Sequence, residues 1–124
     1  MKHDEFIKKV QTAAQVSSRE EAERATRATL ETLKERLVGD EAKDLASQLP
    51  KEMQEYLRGR EGEDGQHFTL KEFYERVSQK EGTDSTVAAT HARAVFTVLN
   101  SAVTPGEMAD VRANFTEDYE ELFA

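Results

Sequence analysis

Residues 84–107 read DSTVAATHARAVFTVLNSAVTPGE. Apolar side chains recur there at every third or fourth position, which places them on one face of an α-helix. That face consists of Ala88, Ala92, Val95, Phe96, Leu99 and Val103. Asp84 or Ser85 is suited to cap the start of this helix. Thr104 followed by Pro105 marks the start of another. These residues therefore predict two consecutive helices.

The same signals recur along the rest of the chain. Capping boxes begin the helices after Ser18 and Thr69, Gly39 and Gly82 are predicted to end those helices, and Thr116 is predicted to cap the last one. The other predicted helices span 2–14, 18–37, 40–48, 50–58 and 69–81. Their inward faces include Phe6, Ile7, Val10, Ala14, Ala22, Ala25, Leu30, Leu33, Leu37, Leu70, Phe73, Tyr74 and Val77. No segment alternates apolar and polar residues as a strand does, so we expect an all-α fold of about eight helices.

The second half of the sequence repeats the first. At an offset of 67, reduced to 66 by a one-residue deletion, charged residues coincide and apolar positions stay apolar. The identities include Arg27 with Arg93, Glu41 with Glu107, and Asp44 with Asp110. Each copy contains four predicted helices. We expect a single domain, 1–124, in which the repeats 1–58 and 68–124 are joined by the linker 59–67 into one compact bundle with pseudo-two-fold symmetry.

Composition and charge restrict the class of protein. The 124 residues include no cysteine, which excludes disulfides, thiol nucleophiles and cysteine-ligated metals. The net charge of −8 disfavours nucleic acid and anionic membrane surfaces as partners. No apolar run is long enough for a membrane span or a secretory signal, so we expect a cytoplasmic protein. Residues 63–124 contain 5 basic and 12 acidic residues, and an electrostatic partner of that half should be basic.

Groups suited to catalysis or metal binding are few. His3, His67 and His91 lack the His-x-x-x-His spacing that puts two metal ligands on one helix face. Segment 61–72 resembles a calcium loop, but when its final glutamate is in register, the required glycine position is occupied by Gln66. We predict no catalytic residue, no metal site and no cofactor.

His91 and two arginines are the candidate ligand-binding residues. His91 lies at the edge of an apolar helix face, where it either bonds a neighbouring carbonyl or acts as a pH switch or ligand contact. Arg27 and Arg93 occupy equivalent positions in the two repeats. One interpretation is a pair of structural ion pairs, Arg27 with Asp44 and Arg93 with Asp110. The other places both arginines in a shared groove for an anionic ligand.

The sequence resembles the domain-of-unknown-function family 2267 of bacteria and archaea. The residues that carry the resemblance extend over nearly the whole chain, in segments 4–6, 25–37, 41–50, 71–77, 106–111 and 117–123. Segment 41–50 ends in the Gln48-Leu49-Pro50 signature. The resemblance implies a small helical cytoplasmic protein, and it supplies no catalytic residue because the family has no established activity.

The leading functional interpretation is a non-enzymatic interaction or accessory protein that presents an acidic helical surface to a protein partner, or to itself as a homodimer. The alternative is a small-ligand or metal sensor that uses the cleft between the repeats, with His91, Arg27 and Arg93 as its first candidates. An apolar pocket around those polar groups would favour the sensor. A closed cleft with an exposed apolar patch would favour the interaction protein.

Overall fold

The computed structural model describes residues 1–124 and contains eight α-helices and no β-strand. The predicted all-α fold is therefore confirmed. Two short 3-10 turns, Glu55–Leu57 and Glu117–Tyr119, follow the fourth helix and precede the eighth. The helices are α1 (His3–Ala14), α2 (Arg19–Arg36), α3 (Gly39–Ser47), α4 (Lys51–Gln54), α5 (Leu70–Glu81), α6 (Ser85–Ala102), α7 (Pro105–Arg112) and α8 (Glu120–Phe123). None of them is both long and apolar enough to cross a bilayer.

Four helices begin at the predicted side-chain caps. The Ser18 hydroxyl accepts a hydrogen bond from the Glu21 amide at 3.2 Å. Thr69 and Thr104 do the same for the third residue of α5 and of α7, each at 3.2 Å. At the start of α6 the cap is Asp84 rather than Ser85, and it accepts from the Val87 amide at 2.9 Å. Each such cap contributes about 1 kcal/mol, because it satisfies an amide that has no partner inside the helix.

Gly39 does not end α2, contrary to the prediction from the sequence. Helix α2 ends at Arg36, Leu37 is extended, and Gly39 is already the first residue of α3. A Cβ atom on Gly39 would lie only 1.9 Å from the carbonyl oxygen of Arg60. The position therefore requires glycine because the segment after α4 passes directly over the backbone there.

Thr116 does not cap the last helix. Its hydroxyl bonds the carboxylate of Asp118 instead. The second oxygen of Asp118 accepts a hydrogen bond from the Leu70 amide at 2.8 Å, so this side chain satisfies the first amide of α5. The last helical segment is thereby tied to the start of α5, and these two hydrogen bonds hold the pKa of Asp118 below its ordinary value.

The predicted linker packs against the corner between α2 and α3. The Gly39 amide donates to the Glu63 carbonyl at 2.8 Å, and the Gln66 amide donates to the Glu35 carbonyl at 2.8 Å. A Cβ on Gly65 would lie 2.2 Å from the Arg36 carbonyl oxygen. Backbone contact therefore fixes the course of this acidic segment, although most of its side chains are exposed.

The core is one continuous apolar cluster drawn from both halves of the chain. Helix α6 packs against α1, α2, α5 and α8, and α2 packs against α1 and α5. Phe73 lies near the centre, with edge-to-face contacts to Phe96 and Tyr119. All the inward-facing residues predicted for α1, α2, α5 and α6 are buried. Helices α3 and α7 also pack against each other, so residues of the two halves of the chain meet there.

Candidate functional site

Three carboxylates from α3 and α7 form the densest group of potential ligands in the molecule. Glu41, Glu107 and Asp110 each place one carboxylate oxygen within 4.8 Å of the others. Glu41 is the third residue of α3, and Glu107 is the third residue of α7. Each glutamate therefore lies in the first turn of its helix, where the positive end of the helix dipole partly offsets the negative charge.

The cluster extends from the protein interior to the surface. Glu107 is only 8% exposed, Glu41 is half-buried and Asp110 is exposed. One oxygen of Glu107 and one of Glu41, both Oε2, are shielded from solvent and have no hydrogen-bond donor. A buried carboxylate oxygen without a donor is costly. A proton held between the two glutamates, or a cation bound by them, would offset this cost.

Burial raises the pKa of Glu107 from its ordinary 4.5 to about 8. Hydrogen bonding with Glu41 and repulsion from Glu41, Asp44 and Asp110 act in the same direction. The raised pKa favours the protonated form of Glu107 at pH 7 when no cation is bound. Three oxygen ligands with this charge are chemically suited to a hard divalent cation.

The sequence did not point to this cluster, and the prediction that the chain has no metal site stays a prediction. The available signal was the offset of 66, which matches Glu41 with Glu107 and Asp44 with Asp110. Helices α3 and α7, which carry these residues, pack against each other. The amphipathic pattern does not show which helices of the two halves meet, so the proximity of these acids could not be derived from it.

His91 is buried and bonds a carboxylate rather than a carbonyl. Its Nδ1 contacts Oε1 of Glu81, the last residue of α5, and its Nε2 lies 3.9 Å from Oε2 of Glu21 on α2. The Glu81 side chain is only 3% exposed. Burial raises the pKa of Glu81, and His91 opposes that shift. This arrangement bonds α6 to α5 through Nδ1 of His91, while Nε2 faces the Glu21 carboxylate of α2 at a distance too long for a hydrogen bond.

The two predicted ion pairs do not form. Arg27 pairs with Glu31, one turn further along α2, with Nε to Oε2 at 3.2 Å, and its guanidinium lies 5.7 Å from the centre of the Tyr56 ring. Residues four apart on a helix are neighbours on its surface, and Arg27 pairs with Glu31 rather than with Asp44. Asp110 likewise forms no ion pair with Arg93, because its carboxylate belongs to the cluster with Glu107.

Arg93 lines a groove of about 310 Å³ between α5 and α6, together with Lys71, Tyr74 and three hydroxyl side chains. Burial raises the pKa of Tyr74, and Arg93 opposes that shift. Neither His91 nor Arg27 lines this groove. The three predicted ligand-binding residues thus have separate surroundings, and a role for Arg93 in binding an anion stays a prediction.

The fold and the carboxylate cluster define a small all-helical protein with a cation-competent group of acids between α3 and α7. The chain belongs to the family described as "Uncharacterized conserved protein (DUF2267)", whose family model matches residues 3–122. The resemblance seen in the sequence is thereby confirmed over nearly the whole chain. No curated protein matches it.

Proposed function

We propose that this chain is a non-enzymatic cytoplasmic accessory module that binds a basic protein partner through an acidic surface at its C-terminal end. This surface consists of Glu117, Glu120 and Glu121, and we call it the C-terminal acidic surface. All three residues are exposed, whereas Tyr119 and Leu122 between them are buried in the core. The core therefore holds the backbone of this segment in place, and of the three carboxylates that of Glu121 accepts a hydrogen bond from the Tyr74 hydroxyl at 3.1 Å.

The observation that carries this proposal is the absence of compensating charge. Residues 104–124 contain six acidic side chains, and none forms an ion pair with a lysine or arginine. Their one basic residue, Arg112, lies 5.1 Å from the centre of the Phe123 ring. In the first half, by contrast, Asp4 and Glu31 pair with arginines. Uncompensated negative charge at one end of a molecule attracts and orients a cationic partner.

The proposal includes two tandem four-helix units related by pseudo-two-fold symmetry. Helices α1 and α5 both have 12 residues, and α2 and α6 both have 18. The packing is reciprocal as well, since α1 packs against α6 and α5 packs against α2. Together with the offset of 66 to 67 in the sequence, these lengths and contacts support an internal duplication.

A binding experiment with matched variants tests the docking role. The probe is a fluorescent oligolysine peptide, titrated at low and at moderate salt. We expect E117Q/E120Q/E121Q to weaken binding about tenfold, because three favourable charge contacts are lost. The control, E20Q/E52Q/E55Q, removes the same net charge from exposed residues of the first half. If both triple variants weaken binding equally, the binding depends on net charge alone, and the C-terminal acidic surface is not the binding site.

Self-association through the same surface is the second form of this proposal. Two copies that meet through like charges repel each other, so a dimer of this kind should form only when salt screens the repulsion. Light scattering after size exclusion at low and high salt measures the mass directly. A dimer that appears at high salt and is unaffected by E117Q/E120Q/E121Q would place the dimer interface elsewhere.

The alternative function, a ligand or metal sensor acting between the two units, is favoured by one specific observation. The cluster of Glu41, Glu107 and Asp110 joins α3 of the first half to α7 of the second. A ligand bound there would act on the contact between the halves. The residues first suggested for this role, His91, Arg27 and Arg93, have separate surroundings, so the cluster takes their place in this alternative.

A further inference from the structure

The carboxylate cluster lacks any basic side chain that could neutralise it. No lysine or arginine nitrogen lies within 4.0 Å of an oxygen of Glu41, Glu107 or Asp110. Asp44, one turn along α3, adds a further negative charge near Glu107. Carboxylates held this close repel one another strongly, and the repulsion grows as the site becomes less accessible to water. The cluster therefore attracts cations.

Glu107 supplies the second, independent observation. Its side chain is more than nine-tenths buried, and its Oε2 has no hydrogen-bond donor. The Oε2 of Glu41 is shielded and lacks a donor in the same way. Native proteins rarely leave buried acceptors unpaired, and an unpaired one calls for a ligand or a proton. Glu41 and Glu107 lie on facing helices, and one carboxylate oxygen of each lies within 4.8 Å of the other and of an oxygen of Asp110.

We propose that Glu41, Glu107 and Asp110 form a binding site for a hard divalent cation of the Ca²⁺, Mn²⁺ or Mg²⁺ class. A calcium ion lies about 2.4 Å from each oxygen ligand, so it joins two oxygens that are at most about 4.8 Å apart, and the smaller Mg²⁺ requires them to be closer. The oxygens of the cluster lie within 4.8 Å of one another. The ligands are all carboxylates, which favours hard cations over metals that prefer nitrogen or sulfur.

The cation would enter from the side of Asp110, which is exposed, while Glu107 binds it from the interior. Water molecules would complete the coordination on the exposed side, because three protein ligands leave open positions. This inference rests on the sensor alternative given above. It is independent of the C-terminal acidic surface, since Glu117, Glu120 and Glu121 are not members of the cluster.

Isothermal titration calorimetry with CaCl₂, MnCl₂ and MgCl₂ separately, at constant ionic strength, tests the site in the full-length protein. We expect one equivalent of at least one of these cations to bind, with a Kd of about 10⁻⁴ to 10⁻³ M, as for open sites with few protein ligands. The melting temperature should rise by about 3 to 6 °C at a cation concentration ten times the Kd.

Two variants and two controls make the result specific. E107Q and D110N should each weaken binding at least about tenfold, since each removes a charged ligand. D40N changes an exposed acid of α3 outside the cluster, and E117Q/E120Q/E121Q changes the C-terminal acidic surface; both should bind as the unchanged protein does. Retained binding in the last variant separates this inference from the docking proposal.

The inference is overturned by either of two results. The first is that none of the three cations shows saturable binding at concentrations up to 10 times the weakest expected Kd. A shared proton would then be the only partner of the two glutamates. The other is binding that E107Q and D110N do not weaken, which would indicate diffuse counterions. Misfolding would not confuse the outcome, because D110N changes an exposed side chain and E107Q relieves repulsion.

Discussion

Among individual residues, Arg36 has surroundings that its position in the sequence does not suggest. It lies in the last turn of α2, where a basic residue is usually exposed, yet it is only 2% exposed. Its guanidinium lies 4.7 Å from the centre of the Phe115 ring and 5.2 Å from that of Tyr119. It also donates to the Gln66 carbonyl at 3.3 Å. These contacts join α2 to the end of the chain.

Replacing Arg36 should therefore destabilise the whole fold. We expect Arg36→Ala to lower the free energy of unfolding by about 2 to 4 kcal/mol, since it removes desolvated cation–aromatic contacts and leaves a cavity. Urea unfolding followed by circular dichroism measures the change. Arg36→Met keeps most of the volume without the charge, so its smaller loss would isolate the packing contribution. A loss below about 1 kcal/mol for the alanine variant would contradict the proposed importance of these contacts.

Glu107 should make stability fall as the pH rises. Its pKa is raised from 4.5 to about 8 in the folded protein, so between these values the folded state holds a proton that the unfolded state has released. The contribution of this proton to the free energy of unfolding is fully present below pH 4.5 and is lost progressively as the pH approaches 8, by at most about 1.4 kcal/mol per pH unit.

Urea unfolding of the wild type and of E107Q at pH 5, 6, 7 and 8, with a chelator present, measures this effect. The difference between the two proteins should change with pH in favour of E107Q, because glutamine cannot ionise. D40N, which removes an exposed carboxylate outside the cluster, serves as the control. A wild type that loses no stability relative to E107Q between pH 5 and 8 would show that Glu107 is ionised throughout.

For individual residues, the sequence predicts which side chains are buried but not which residues of other helices they contact. The helical period shows which side of a helix is apolar, and Phe6, Val10 and Leu99 are buried as expected. It does not show which residue of another helix lies opposite. The pairing of Arg27 with Glu31, rather than with the Asp44 of one interpretation, and the proximity of Glu41 to Glu107 are therefore visible only in the structure.

At the level of helices, features that depend only on neighbouring residues were predicted correctly. The caps at Ser18, Thr69 and Thr104 are local, because each hydroxyl bonds an amide three residues later. The errors concern Gly39 and Thr116, whose roles depend on distant segments. Gly39 is fixed by the approach of Arg60, and Thr116 bonds the carboxylate that also binds the start of α5.

Two glycines in the first turns of α3 and α7 give a matched test of this distinction. A Cβ at Gly39 would collide with the Arg60 backbone, whereas a Cβ at Gly106 meets no atom within 4 Å. We expect Gly39→Ala to destabilise the protein by about 1 to 3 kcal/mol, because backbone must move. Gly106→Ala should leave stability unchanged or raise it by up to about 1 kcal/mol, through better helix propensity. Thermal unfolding of both variants checks the sign, and similar effects at the two positions would contradict the packing of the segment after α4.

For the molecule as a whole, the packing between the two halves determines whether either half can fold by itself. The repeat in the sequence predicts two equivalent units, but it does not predict that each unit completes its core with helices of the other. In the structure α1 packs against α6, and α5 packs against α2. This arrangement differs from two independent domains joined by a linker, because helices of each half bury apolar faces against helices of the other.

Separate expression of residues 1–58 and 68–124 tests this interdependence. We expect each fragment alone to have little helical circular dichroism and no cooperative melting, because the contacts of α1 with α6 and of α5 with α2 are lost. An equimolar mixture should recover helical signal with a midpoint that rises with concentration, as mass action requires when folding depends on association. Arg36→Ala in the first fragment should weaken that recovery, since Arg36 contacts Phe115 and Tyr119 of the second. A fragment that melts cooperatively by itself would show instead that one unit has a sufficient core, and the reciprocal packing would then be an addition to its stability rather than a condition for folding.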